Sequence, residues 1–147
     1  MTEWHRDQFV VTDDRSRVDV DVVHGYLANE SYWADHRTRA ETESAIAASW
    51  CFSLIDEETG AQVGFARLVT DYTTYGWLAD VLVIPAYQGR GLGTFLVGCV
   101  ADAASEINRL HLGTRDAHGL YAKFGFTPLS YPDRAMERLL RPLAPDV

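Results

Sequence analysis

The chain has 147 residues, of which 47% are hydrophobic and 23% charged, an ordinary composition for one globular domain over residues 1–147. Its net charge of −8 is uneven, because residues 1–60 hold 13 acids against 5 basic residues while residues 61–147 hold 8 of each. This sign argues against nucleic acid as a partner. It favours a cationic amine substrate through electrostatic attraction, although a solubilising acidic surface accounts for the same pattern.

Neither the cysteines nor the hydropathy indicates export or a membrane. Cys51 and Cys99 stand inside apolar runs without CxxC spacing, so we interpret each as a small core residue rather than a metal ligand or half of a disulfide. The N-terminus lacks the basic-then-apolar pattern of a signal peptide, and no apolar run approaches the roughly 18 residues that span a bilayer. We therefore expect a cytoplasmic protein that binds neither a membrane nor a metal.

The first third of the chain predicts a strand and two helices. Residues 9–12 form a short apolar strand. Residues 18–27 carry an apolar helical face made of Val18, Val22, Val23, Tyr26 and Leu27. Thr38 and Glu41 have the spacing of a capping box, which predicts a second helix to about residue 49.

A hairpin and a long apolar strand follow. Residues 50–55 and 61–70 flank a turn at residues 58–60, which predicts a β-hairpin. Residues 77–84 are almost continuously apolar and end at Pro85. Such a run predicts burial on both faces, as in the middle of a mixed sheet.

The remaining elements alternate between helix and strand. Residues 92–104 predict an amphipathic helix, residues 110–113 a strand and residues 118–124 a short helix. Residues 126–129 and 136–140 predict C-terminal strands. The order as a whole predicts an α/β fold with antiparallel strands first and a strand–turn–helix–strand crossover at its centre.

A glycine turn, Gln88-Gly89-Arg90-Gly91-Leu92-Gly93, joins the apolar strand to the long helix. Glycines let the backbone approach a phosphate closely, and the free amides at a helix start attract anions. The Gly-x-Gly-x-Gly spacing differs from a dinucleotide fingerprint, and the Gly-Lys-Ser/Thr of a triphosphate loop is absent. An anion site or a ligand-free tight turn would both fit this segment.

These residues resemble a known family. Residues 83–93 are similar to motif A of the GNAT superfamily of N-acetyltransferases, whose core is Gln/Arg-x-x-Gly-x-Gly/Ala, and Val83 with Pro85 supplies the family's Val-x-Pro strand end. Residues 119–126, Gly-Leu-Tyr-Ala-Lys-Phe-Gly-Phe, resemble its motif B. The resemblance covers nearly the whole chain. It implies a mostly antiparallel central sheet that splays between its fourth and fifth strands and is flanked by helices.

The resemblance also implies an N-acetyltransferase that uses acetyl-CoA and acts on a primary amine. The amides implied to bind the pyrophosphate are those of Gln88, Gly89, Arg90, Gly91, Leu92, Gly93 and Thr94. The fourth strand, around Val81, Leu82 and Val83, would pair with the pantetheine arm. One amide there, that of Leu82, would polarise the thioester carbonyl.

Three side chains are candidates for proton transfer. Tyr121 matches the family's tyrosine that protonates the departing thiolate, and a phenol of pKa about 10 can supply a proton to a thiolate of pKa about 8.5. Simple aromatic packing is the alternative for Tyr121. Asp80, an acid in an apolar strand, and His118, one turn before Tyr121, are candidate bases. An ion pair within the sheet for Asp80 and a helix-start hydrogen bond for His118 explain them equally well.

The acceptor side depends on the resemblance alone. In this fold the first two helices and their connection border the acceptor. Tyr32, Trp33, Asp71 and Tyr75 would then bind a small cationic amine through cation–π and charge contacts, although a peptide amine or plain core packing also fits them. A non-catalytic acyl-CoA sensor would carry the same motif A. Homodimers are frequent in the family.

Overall fold

The computed structural model describes residues 1–142 and contains one six-stranded sheet in the order β1-β2-β3-β4-β5-β6. The strands are Glu3–Arg6 (β1), Phe9–Thr12 (β2), Trp50–Asp56 (β3), Ala61–Thr70 (β4), Gly76–Val83 (β5) and Leu110–Leu112 (β6). The helices are Val20–Asn29 (α1), Arg39–Ala47 (α2), Leu92–Ala103 (α3) and His118–Ala122 (α4). Strands β1 to β5 pair antiparallel and β6 pairs with β5 in parallel, which confirms the predicted mixed α/β fold.

Local side-chain bonds fix where the first two helices begin. The Asp19 carboxylate accepts bonds from two first-turn amides of α1. In α2, Thr38 and Glu41 form both bonds of the predicted capping box. Within residues 1–142, no helix has the length and apolar character needed to cross a membrane.

The sheet has an apolar core on each face. Helix α3 covers one face, where Leu96 packs in the same cluster as Phe52 of β3. Helices α1 and α2 cover the other face, where Leu27 shares a cluster with Phe65 of β4. All three of Leu27, Phe52 and Phe65 are fully buried. Strands β3 and β4 therefore form the centre of the molecule.

Strand β5 separates from β6 partway along its length. The two strands pair only from Gly76 to Leu78, so within residues 1–142 no strand lies beside residues 79–83 on that edge. A register shift against β4 places Asp80 and Val81 opposite Ala66, and Asp80 has a φ of 51°, as expected of a β-bulge. The predicted splay is thus present, between β5 and β6 in the numbering used here.

Three sequence predictions differ from the structure. The apolar strand is not buried on both faces; its side chains alternate between buried and partly exposed, because its outer part borders open space. Strand β1 was not predicted, since its four residues are polar apart from Trp4. Residues 126–129 and 136–140 form no strands. Pro128 has no amide to donate to the hydrogen-bond ladder that a strand over residues 126–129 would need.

Candidate active site

The glycine turn presents bare backbone at the start of α3. After a 3-10 turn at Pro85–Tyr87, Gly89 and Gly91 adopt φ values of 80° and 75°, and Gly91 caps the helix. A Cβ added to Gly89 or Gly93 would meet no atom within 4 Å, so open space lies beside both residues. The first amides of α3 have no helical carbonyl to bond and lie at the positive end of the helix dipole. This geometry suits an anion such as a pyrophosphate.

Arg6 of β1 holds this turn in place. Its Nη1 donates to the Gly91 carbonyl at 3.0 Å and its Nη2 to the Arg90 carbonyl at 3.4 Å. The Arg90 guanidinium lies 5.0 Å from the centre of the Tyr87 ring. Arg6 thus ties strand β1 to the backbone of the glycine turn. The sequence reasoning missed Arg6 because it missed β1.

The backbone of β5 determines which of its amides face the splayed edge. The Ile84 amide donates to the Val63 carbonyl of β4 at 2.9 Å. The Leu82 carbonyl also faces β4, because a Cβ atom added to Gly64 would lie 2.9 Å from its oxygen. The Val83 carbonyl instead faces away from β4 and accepts a bond from Gln88 Nε2 at 2.9 Å.

Because the backbone groups of successive strand residues point to opposite edges, the groups of Leu82 face β4 while those of Val81 and Val83 face the open edge. The expected role of the Leu82 amide is therefore not supported by its direction. The neighbouring residues on either side of Leu82, Val81 and Val83, have the amides that face the open edge of β5.

A cavity of about 840 Å³ lies beside this open edge. It is bordered by β5, by the connection between α1 and α2, and by the segment from Gly113 to Tyr121. The predicted site residues that line it are Tyr32, Trp33, Asp80, Val81, Leu82, Val83, Gly93 and Tyr121. The structure thus brings the end of the glycine turn, the free strand edge and the candidate acid together.

Three residues predicted as catalytic or acceptor-binding lie away from the cavity. Asp71 closes its own turn by accepting bonds from the Thr74 side chain and from three backbone amides, which hold its pKa well below the usual range. The Tyr75 hydroxyl lies 3.1 Å from Nδ1 of His111. His118 is exposed at the start of α4 and does not line the cavity.

Asp80 is held by three donors. Its side chain is 3% exposed; Oδ1 accepts from Trp33 Nε1 at 3.0 Å, and Oδ2 accepts from Arg37 Nη1 at 2.6 Å and from Arg67 Nε at 2.8 Å. Burial works against ionisation, but the Arg37 bond and the charges of Arg67 and Arg37 outweigh it and keep the pKa of Asp80 below its ordinary value. An ionised carboxylate whose two oxygens are both engaged is a counter-ion and a weak proton acceptor.

Tyr121 is 9% exposed and packs edge-on against Phe126, with ring centres 6.0 Å apart. Burial first, and the neighbouring Tyr32 second, raise the pKa of Tyr121, so the phenol is protonated at neutral pH. Among the side chains of residues 1–142, no buried oxygen or nitrogen lacks a hydrogen-bond partner. Since the Tyr121 hydroxyl has no partner within this range, it is accessible from the cavity rather than sealed in the core.

The cavity also contains residues that the sequence did not single out. They are Arg37, Arg67, Trp77, Arg115 and Asp116. The Arg115 guanidinium lies 4.0 Å from the centre of the Tyr32 ring, and the Arg115 amide donates to the Tyr32 hydroxyl at 3.3 Å. No local pattern marks these residues, because they come from four separate parts of the chain. Within residues 1–142, no cluster of three His, Cys, Asp or Glu side chains could hold a metal ion.

Comparison with known proteins gives the family. The model of the acetyltransferase (GNAT) family matches residues 2–126. A protein of Xanthomonas campestris pv. campestris, described as a GNAT-family acetyltransferase, is 38% identical, with a TM-score of 0.84 over 90% of this chain and 93% of that chain. A GNAT-family protein of Streptococcus pneumoniae TIGR4 is 27% identical, with a TM-score of 0.67 over 90% and 96% of the two chains. An acetyltransferase of Gibberella zeae is 27% identical over 82% of this chain and 79% of its own length. The chain belongs to the GNAT acetyltransferase family.

Proposed function

We propose that the protein transfers an acetyl group from acetyl-CoA to a primary amine, with Tyr121 as the general acid. One observation carries the proposal: the free edge of β5, the end of the glycine turn and Tyr121 border the same cavity. An anion cradle, unpaired strand amides and a protonated phenol are the three groups that acyl transfer from a thioester needs.

The backbone on this side fits acetyl-CoA. The amides from Gly89 to Thr94 would bind the pyrophosphate, and the edge groups of Val81 and Val83 would pair with the amides of the pantetheine arm. Bound there, acetyl-CoA supplies the acetyl group as a thioester. We assign the polarisation of the thioester carbonyl to the amide of Val81 or Val83, the two that face the splay, in place of Leu82.

The proposed reaction is a direct transfer. The amine nitrogen forms a bond to the acetyl carbon, the carbon–sulfur bond breaks, and Tyr121 gives its proton to the thiolate that leaves. With Asp80 held by three donors, the proton that the amine loses passes to water in the open cavity, and the Tyr121 phenolate regains a proton from that water. Asp80 in this scheme positions Trp33, Arg37 and Arg67 and does not act as the base.

Substitution of Tyr121 by Phe tests the general acid. We expect Tyr121→Phe to lower kcat about 100-fold or more while the Kd for acetyl-CoA stays nearly unchanged, because only the proton donor is lost. Thiol release measures turnover and calorimetry measures binding. Tyr131→Phe, an exposed tyrosine that does not line the cavity, is the matched control.

Two outcomes would contradict the proposal. Unchanged turnover in Tyr121→Phe would remove the general-acid role. Binding of acetyl-CoA without turnover on any amine of a broad panel would indicate a non-catalytic acyl-CoA sensor instead.

A further inference from the structure

The charged residues that line the cavity are mostly cationic. The cationic residues are Arg37, Arg67 and Arg115, and the anionic residues are Asp80 and Asp116. Arg37 and Arg67 both bond to Oδ2 of Asp80, so one negative charge faces two positive charges. The three side chains together carry a net charge of +1, which is the opposite sign to the −8 of the whole chain.

This excess charge is both sheltered and accessible. The side chains of Arg67 and Arg37 are 12% and 19% exposed, so solvent screens them less than it screens surface residues. Arg37 uses Nη1 for Asp80, while Arg67 uses Nε for Asp80 and Nη1 for Ser49 Oγ. Because no buried side-chain nitrogen in residues 1–142 lacks a partner, the remaining guanidinium nitrogens are not sealed from solvent, and both arginines line the cavity.

Two of the aromatic residues that line the cavity, Tyr32 and Trp33, are already engaged by other groups. The face of Tyr32 lies under the Arg115 guanidinium, 4.0 Å away. The indole of Trp33 is fixed by its bond to Asp80 and lies edge-on to Tyr32. Asp116 is largely exposed and lies 3.7 Å from Arg115. The net positive charge of Arg37, Arg67 and Asp80 therefore attracts an anionic group into the cavity more strongly than a cationic group.

Building on the proposed acetyl transfer, we propose that the acceptor amine carries a carboxylate that binds to Arg37 and Arg67. A guanidinium fork matches the planar carboxylate and can donate two parallel bonds to it. Asp80 lies one residue before Val81 and three before Val83, a separation of about 3–10 Å along β5. An amine that reaches the amides of Val81 and Val83 can thus place a carboxylate beside the arginine pair within one small molecule.

Matched substrates test this directly. Linear amino carboxylates with one to five methylenes are compared with the carboxamide and the diamine of equal length, and kcat/KM is measured by thiol release. We expect the best carboxylate to exceed its carboxamide and its diamine by about 10- to 100-fold, mostly through a lower KM, since a charged hydrogen bond is worth this factor.

Variants of Arg37 then locate the binding group. Arg37→Gln should reduce the ratio of kcat/KM for carboxylate over carboxamide about 10-fold or more, and Arg37→Lys should restore part of it. The ratio is taken within one variant, so partial loss of folded protein cancels. Arg39→Gln, which removes an exposed arginine of α2 outside this cavity, should keep the wild-type ratio.

The outcomes separate the two proposals. Diamines or carboxamides that are acetylated as well as the carboxylates, or an unchanged ratio in Arg37→Gln, would overturn the carboxylate site and leave acetyl transfer standing. Absence of turnover on every amine would overturn the proposed function and this inference with it.

Discussion

Removal of the Asp80 charge should destabilise the fold, because it leaves two guanidinium groups together without a counter-ion. In Asp80→Asn, Arg37 and Arg67 keep their positions beside a neutral amide, and the two cations then repel each other. The side chain of Asp80 is 3% exposed, so water offers little compensation. Breaking a buried pair by removal of one partner costs about 3–5 kcal/mol of unfolding free energy.

The expected magnitude is easily measured. A loss of about 3 kcal/mol should lower the Tm by roughly 10 °C in a chain of this length. The pKa of Asp80 is lower in the folded protein than in the unfolded chain, so its contribution to stability is present above the unfolded pKa of about 4 and is lost as the pH falls through the folded pKa. The difference between wild type and Asp80→Asn should accordingly shrink below about pH 4.

Urea unfolding at pH 7 is the assay, and the double variant Asp80→Asn with Arg37→Gln is the internal check. Removing Arg37 as well relieves the repulsion, so the double variant should lose less than the sum of the two single losses. Glu43→Gln, which breaks an exposed ion pair with Arg39 on α2, should leave stability unchanged within error. A loss below about 1 kcal/mol in Asp80→Asn, or strict additivity in the double variant, would refute the counter-ion role.

Two further predictions concern the glycine turn and the thiols. Arg6→Ala should weaken acetyl-CoA binding about 5- to 10-fold in calorimetry, because the turn loses the two hydrogen bonds that tie it to β1. Arg17→Ala, in a 3-10 turn outside the cavity, should leave binding unchanged. Burial raises the pKa of Cys51 to about 11 and of Cys99 to about 12, so neither thiol should react with a disulfide reagent at pH 8 until denaturant is added. Rapid reaction of a thiol in the native protein would contradict the second prediction.

The features that the sequence predicted correctly depend on residues close together in the chain. The capping box of Thr38 and Glu41 involves one turn of helix, and the glycine turn involves six residues whose spacing has a local steric cause. Strand β1 was missed for the converse reason. Its residues are polar, and they form a strand because β2 offers a free edge with which they can pair.

The direction of the β5 amides could not be predicted in this way. It depends on the register between β4 and β5 and on the bulge at Asp80, which are set by contacts between separate strands. A change of one residue moves an amide to the other edge of the strand, and the proposed role of Leu82 is reassigned to Val81 or Val83 for that reason. The arginine pair was missed for a similar reason, since Arg37 and Arg67 lie 43 and 13 residues from Asp80.

The charge of the chain and the charge of the cavity act over different distances. The excess of acids in residues 1–60 sets the field outside the protein, which draws an ammonium group toward it but decays over about 8 Å at physiological ionic strength. The net positive charge of Arg37, Arg67 and Asp80 acts only on a molecule that has entered the cavity, where screening is weaker. A purely cationic acceptor would be attracted outside and repelled at contact, whereas a carboxylate without an amine would be repelled outside. An amino carboxylate satisfies both fields, because its ammonium group matches the acidic exterior and its carboxylate matches the arginine pair.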